Sequence, residues 1–224
     1  MVKAEIKSPD DIASDFETMI VDVDGTLYRL FPLRFRMAVM ITADLLLHPG
    51  KLPLFRALIY FRKIRKKPEY LNAGMEKQVH YSADKYGQKY EKTYDYICRW
   101  LFEKPLDVIP EYKYESILKF VNDFKRKGKK IVVYSDYPAE DKLSVLGLQY
   151  DLVFYPGSGI PDVLKPSRDV MRAIVDSIGT EPEKVLYIGD DIDKDGVSAE
   201  FIGTAYMDVG DLRKIIRKSG RTGV

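Results

Sequence analysis

An α/β fold, a doubly wound parallel sheet carrying an inserted all-helical segment, is what three features of this chain predict. Short β-branched runs bounded by turn residues recur along it, helical patterns alternate with them, and residues 28–110 carry no convincing strand alternation. The first run, Thr18 to Val23, is apolar at successive positions, as a strand covered on both faces must be. Similar runs follow at Lys130 to Tyr134, Leu152 to Tyr155 and Lys184 to Ile188, with a weaker one at Thr204 to Met207. Between them, Tyr112 to Lys127 places Tyr114, Ile117, Leu118, Val121 and Phe124 at helical spacing, and Gly128 stands where a helix stops. Ser167 can cap a helix from Arg168 to Ile178 whose inward face is Val170, Met171, Ile174, Val175 and Ile178, closed by Gly179. A last helix is expected from Gly210 to Lys218, with Ser219 to Val224 frayed. The expected organisation is a core of residues 1–27 and 111–224 and a helical insertion of residues 28–110.

The composition is that of a globular protein: 46% of the 224 residues are hydrophobic and 31% charged, which excludes long disorder. The formal net charge of +2 hides an asymmetry. Residues 28–110 hold 16 Lys and Arg against 8 Asp and Glu, a balance of +8, and the remainder holds 20 against 26, a balance of −6. The insertion is basic and its frame acidic. A single cysteine, Cys98, excludes an internal disulfide, and the first five residues lack the apolar core of a signal peptide, so a reducing cytoplasm is expected. Phe35 to Leu47 is the longest apolar stretch; its 13 residues include Arg36 and Asp44, too short and too charged to cross a bilayer, and it reads as a buried helix.

In doubly wound sheets the chemistry gathers beyond the carboxyl ends of the strands. The polar residues at those ends are Asp22 and Asp24 after the first strand, Ser135 and Asp136 after the second, Lys165 in the loop after the third, and Asp190 and Asp191 after the fourth. Residues i and i+2 of an extended strand point the same way, so Asp22 and Asp24 can reach one point, and Gly25 lets the chain break away. Two carboxylates so close repel unless a cation sits between them, so the pair predicts a metal.

Four pieces in order, Asp22-Val23-Asp24-Gly25-Thr26, Ser135 closing Ile131-Val132-Val133-Tyr134, Lys165-Pro166, and Gly189-Asp190-Asp191 with Asp195, resemble the motifs of the haloacid dehalogenase-like hydrolases. The resemblance spans residues 17–30 and 112–207 and implies a Rossmann-like core. It implies that Asp22 is the nucleophile, passing through an aspartyl-phosphate, and that Asp24 protonates the leaving oxygen and then takes a proton from water. It implies Mg²⁺ held by the Asp22 carboxylate, the Asp24 carbonyl and Asp190, with Asp195 supporting from behind and Asp191 sharing that task. Ser135 and Lys165, with Gly25 and Thr26, are implied to hold the transferring phosphoryl oxygens. Dehalogenase and phosphonatase relatives lack an acid/base residue at the position of Asp24, so the expected activity is a phosphatase acting on a small phosphate monoester. A phosphomutase would use the same residues.

Each piece alone has a plainer reading. Asp-x-Asp-Gly is usually a turn, Ser135 a helix cap, Lys165 a solvated charge. The acidic run Asp191-Ile192-Asp193-Lys194-Asp195-Gly196 matches a calcium loop at positions 1, 3, 5 and 6, but position 12 is Ile202 and a strand precedes it, so a calcium hand is excluded. Gly157-Ser158-Gly159 lacks the third glycine of a dinucleotide fingerprint. His48 and His80 lack zinc spacing, and Cys98 reads as packing. Asp136 either adds charge at the phosphate site or caps a helix starting near Pro138.

An insertion directly after the first motif resembles the helical caps that close over the active site in many of these hydrolases and contact the substrate. Between Arg29 and Lys67 there are ten Lys and Arg and one acidic residue, Asp44. The basic segment Lys51 to Lys67 is either a solvated face or a docking surface for an anion: an extended phosphate, nucleic acid or an acidic membrane. A binding protein for anionic lipid or nucleic acid with vestigial catalysis is therefore the rival reading. Tyr86, Tyr90 and Tyr94 recur at helical spacing and are expected to be a packing stripe.

Overall fold

A computed structural model describes residues 8–70 and 72–219, so most of the frayed end expected at Ser219 to Val224 lies outside the described residues. The apolar runs become β1 (Thr18–Val21), β2 (Lys130–Tyr134), β3 (Leu152–Phe154), β4 (Val185–Gly189) and β5 (Ala205–Asp208). They form one sheet in the order β3-β2-β1-β4-β5, with every pair parallel. The chain thus builds outward from β1 to one side and returns to build on the other, which opens a crevice at the carboxyl ends of β1 and β4. Met19, Ile20, Val21, Ile131, Val132, Val133, Leu186, Tyr187 and Ile188 have no solvent exposure, which accounts for runs without alternation.

Register sets the site. Val21 pairs with Val133 on one side and Ile188 on the other, so Asp22, Tyr134 and Gly189 follow at one level. The ladder continues past the strands: the Asp22 N–H donates to the Ile188 carbonyl and the Ser135 N–H to the Phe154 carbonyl, each at 2.9 Å. Both side chains are therefore presented from a fixed backbone.

The chain divides into two compact units, one of residues 1–29, 113–161 and 165–224, the other of residues 30–112 with 162–164. Helix α1 (Pro9–Asp15) opens the first unit, with Ser8 and Asp11 closing a reciprocal capping box. The second unit contains α2 (Leu30–Leu47), α3 (Leu52–Ile64), α4 (Gly74–Lys85), α5 (Tyr90–Cys98) and the single turn α6 (Ile109–Tyr112). The first unit resumes with α7 (Glu115–Arg126), α8 (Glu140–Leu146), α9 (Arg168–Ile178), the short α10 (Val197–Glu200) and α11 (Val209–Ser219). Ser167 caps α9 by accepting from the Val170 N–H, and Val170, Met171, Ile174 and Ile178 are buried, with Val175 half-buried.

The second unit has its own core, in which Ile41, Leu58, Phe61, Val79, Tyr96, Ile97 and Trp100 are buried together. Two expectations are corrected there. The stretch Phe35 to Leu47 is helical but not buried: in α2 only Leu33 and Ile41 are, while Phe31, Phe35, Val39, Leu46 and Leu47 are exposed. A helix apolar all round reads as buried on both sides, yet only one side of α2 finds apolar partners. The tyrosine stripe is also broken, because Tyr86 ends α4 and Tyr90 begins the next helix. Tyr90 stacks instead between His80, 4.2 Å away, and Tyr94, 5.8 Å away. Among the described residues no helix is long and apolar enough to cross a membrane.

Candidate active site

Lys165 lies at the centre of the constellation beyond the β1 and β4 ends, 2% exposed. Its ammonium donates to Asp22 Oδ1 at 2.7 Å and to Asp195 Oδ1 at 2.9 Å. It lies 4.7 Å from the centroid of the Tyr134 ring and 5.7 Å from that of Tyr187, where the ring faces add electrostatic attraction. Burial alone would lower its pKa, but the Asp195 and Asp22 charges raise it well above the ordinary lysine value. One ammonium thus faces two carboxylates, and a negative charge is left over. Asp22 carries the consequence: burial first, and then the Asp195 and Asp190 charges, push its carboxyl up to about 8 against the pull of Lys165. Asp190 is pushed to about 6 by partial burial and by its neighbours Asp195 and Asp191.

A hard cation fits this excess of buried negative charge. Asp22, Asp190 and Asp195 each offer a carboxylate oxygen, and these atoms lie within 4.8 Å of one another, so the trio could hold a metal ion. The three are not equivalent. Asp195 Oδ1 already accepts from Lys165 and from the Tyr187 hydroxyl at 2.9 Å, and its Oδ2 accepts from the Asp191 N–H at 3.3 Å. Asp195 therefore braces Lys165 from a buried position, and of the trio only Asp190 is exposed.

Glycine is required at two points. A Cβ on Gly25, where φ is +110°, would lie 2.0 Å from Asp190 Oδ2, and one on Gly189 would lie 2.2 Å from Asp195 Oδ2. Gly25 is thus explained by the approach of Asp190. The Thr26 hydroxyl donates to Asp22 Oδ2 at 3.0 Å, fixing the carboxylate plane. Ser135 is fully buried after β2, and its Oγ accepts from the Tyr137 N–H at 3.1 Å.

Asp24 has a different environment from Asp22. The Lys142 ammonium on α8 grips both its oxygens, at 2.7 and 2.9 Å, and the Tyr28 hydroxyl donates to the same carboxylate. Burial would raise its pKa, but Lys142 and Tyr28 hold it below the usual carboxylate range. Two aspartates two residues apart are thus driven in opposite directions: without a cation beside it Asp22 favours its neutral form, while Lys142 and Tyr28 favour the ionised form of Asp24.

Asp136 does not cap a helix, since α8 begins after Ala139 without a side-chain cap, and its charge acts on Lys165. Its Oδ1 accepts from the Lys165 backbone N–H at 2.9 Å and its Oδ2 from the Lys194 ammonium at 2.7 Å, so it ties together the loops that carry Lys165 and Asp195. Asp191 accepts from the Asp193 N–H through its side chain and shapes a π-type turn over Ile192–Gly196 that turns Asp195 back into the site. The sequence reading missed Lys142, Tyr28 and Tyr187. A lysine in mid-helix and a tyrosine in a strand carry no local mark of such partners.

A sequence model of the haloacid dehalogenase-like hydrolases matches residues 16–203. The chain belongs to this family. A comparison with curated proteins found no match. Among solved structures, this hydrolase is similar to a 2-haloacid dehalogenase from Pseudomonas syringae pv. Tomato, with 11% identity, TM-score 0.61, and 91% and 99% of the two chains covered. It is similar to a HAD phosphatase from Thermococcus onnurineus, with 18% identity, TM-score 0.58 and coverage of 90% and 98%. A HAD-hydrolase from Bacillus subtilis bound to magnesium matches at 12% identity and TM-score 0.56, over 85% and 87% of the chains. At these identities the likeness is one of fold: a parallel Rossmann-like sheet with many helices.

Proposed function

We propose that this hydrolase is a Mg²⁺-dependent phosphatase that hydrolyses a small phosphate monoester through an aspartyl-phosphate on Asp22. The observation that carries the reading is geometric: Asp22 meets Lys165, Asp190 and Asp195 beyond the β1 and β4 ends, with a second carboxylate, Asp24, two residues on. Asp22 is pushed up among carboxylates and a single lysine, and Asp24, two residues on, is an ionised carboxylate held by Lys142 and Tyr28. A dehalogenase has no use for the second group, whereas phosphoryl transfer from an ester needs a proton delivered and later removed.

Asp22, the Asp24 carbonyl and Asp190 would hold Mg²⁺, an oxygen-only set of the hard kind this ion takes, as a magnesium-bound relative of the same fold encourages. When bound, the ion supplies positive charge that favours the Asp22 carboxylate and offsets the charge of the phosphoryl oxygens. Asp22 attacks phosphorus in line, and the bond from phosphorus to the ester oxygen breaks. Asp24 is ionised, so the proton needed by the leaving alkoxide enters with a monoanionic ester and passes through Asp24 to that oxygen. Lys165 and Ser135 hold the equatorial oxygens. Water then attacks the aspartyl-phosphate, giving its proton to Asp24, and the Asp22–phosphorus bond breaks to release inorganic phosphate. The cytoplasm, a reducing compartment, suits a chain with one half-buried cysteine.

The test is a panel of common phosphate monoesters with and without Mg²⁺. Phosphate release that needs the ion and is lost in Asp22→Asn is the expected result. Release that survives either change would overturn the assignment.

A further inference from the structure

Helix α2 turns an apolar stripe to solvent. Phe31 is 82% exposed, Phe35 68%, Val39 51% and Leu46 80%. These positions fall on one side of the helix, at spacings of four, four and seven residues, opposite the side where Leu33 and Ile41 are buried. At 100° per residue Arg34 lies along one border of the stripe and Arg36 along the other, and both are exposed. The one acidic residue of α2, Asp44, is occupied by the Lys51 ammonium at 2.9 and 3.1 Å. An outward apolar strip bordered by unopposed cationic side chains has the pattern of a helix lying in a membrane interface, with its apolar groups in the acyl boundary and arginines among anionic headgroups.

We propose that the outward face of α2 docks this protein on an anionic lipid surface. Charge favours this occupant over a second copy of the chain, because a two-fold contact would set the Arg34 and Arg36 borders against themselves. It also favours lipid over nucleic acid: the strip is Phe, Val and Leu, with Thr42 among them spending its hydroxyl on the Ala38 carbonyl at 2.8 Å, and such a strip has no partner on a phosphate backbone. The surface is local to α2 and does not depend on the catalytic reading.

The experiment is co-sedimentation of the full chain with vesicles of phosphatidylcholine alone and of phosphatidylcholine mixed with phosphatidylglycerol, at low and physiological salt. Sedimentation with the mixed vesicles, weakened by salt, is expected. The exposed double variant Phe31→Ser/Phe35→Ser should lower the partition coefficient by more than about tenfold, given the apolar area removed. Arg34→Gln and Arg36→Gln should each lower it by about fivefold. Circular dichroism matching the wild type confirms that each variant folds. Absence of sedimentation by the wild type, or undiminished sedimentation of the phenylalanine double variant, would overturn the proposal. A concentration-dependent dimer dissolved by Phe35→Ser in a chain that ignores vesicles, or displacement from vesicles by an oligonucleotide that only the phenylalanines bind, would do so as well.

Discussion

The active site and the basic surface of the second unit treat charge in opposite ways. In the first, ionisable side chains of the site are buried and interlocked: Lys165 between Asp22 and Asp195, and Lys142 on Asp24. In the second, Arg34, Arg36, Arg56, Arg62, Lys63 and Lys66 are exposed, and α2 leaves apolar side chains exposed beside them. Buried charge is expensive and is kept where a reaction uses it, while exposed charge costs almost nothing and acts through its field. Substitutions should therefore be severe and pH-sensitive in the first and mild for stability in the second.

The largest expected effect is that of Asp22→Asn, which removes the attacking oxygen and should lower turnover by on the order of 10⁴-fold or more while the fold persists. Steady-state phosphate release checks it. Asp24→Asn leaves the nucleophile but removes the proton carrier, and should cost on the order of 10²- to 10⁴-fold in kcat. Lys142→Met acts through Asp24 and should cost about 10- to 100-fold. Because Lys142 and Tyr28 hold Asp24 low, the same variant should move the acid limb of the pH–rate profile upward, a change that misfolding alone would not produce.

Stability gives the next contrast. A carboxyl pushed up to about 8 in the folded state stays protonated where the unfolded chain has already ionised, so the native state binds more protons between about pH 4 and pH 8. Stability without divalent ion should fall as pH rises through that window, with a Tm at pH 8 at least about 4 °C below that at pH 6. Mg²⁺ should recover the difference, and Asp22→Asn should flatten it; differential scanning fluorimetry reads all three. The smallest effect belongs to the second unit, where Lys63→Gln on the exposed side of α3 should change stability by less than about 0.5 kcal/mol.

The sheet and the principal acidic groups were legible because both are local signals. β-branched runs mark strands, and Asp22, Asp24 and Asp190 stand directly after them, so strand ends and carboxylates could be read together. Strand bounds moved by only a residue or two, as in β1, which ends at Val21. Lys142 was not legible because its partner lies 118 residues away in the chain. Asp195 was legible as an acidic neighbour of the site but not as the brace for Lys165, since that depends on the turn over Ile192–Gly196. The exposure of α2 was hidden for another reason: hydrophobicity tells that a side chain gains from burial, and only the surrounding fold tells whether anything is there to bury it.

The central claim is that Asp22 carries the phosphoryl group. Mass spectrometry of peptides from the acid-quenched protein, sampled during turnover of an activated phosphate monoester with Mg²⁺, tests it most directly. The predicted result is one added phosphoryl group on the peptide containing Asp22, absent in Asp22→Asn and absent without substrate. A phosphoryl group found on Ser135, or steady turnover by Asp22→Asn, would contradict it.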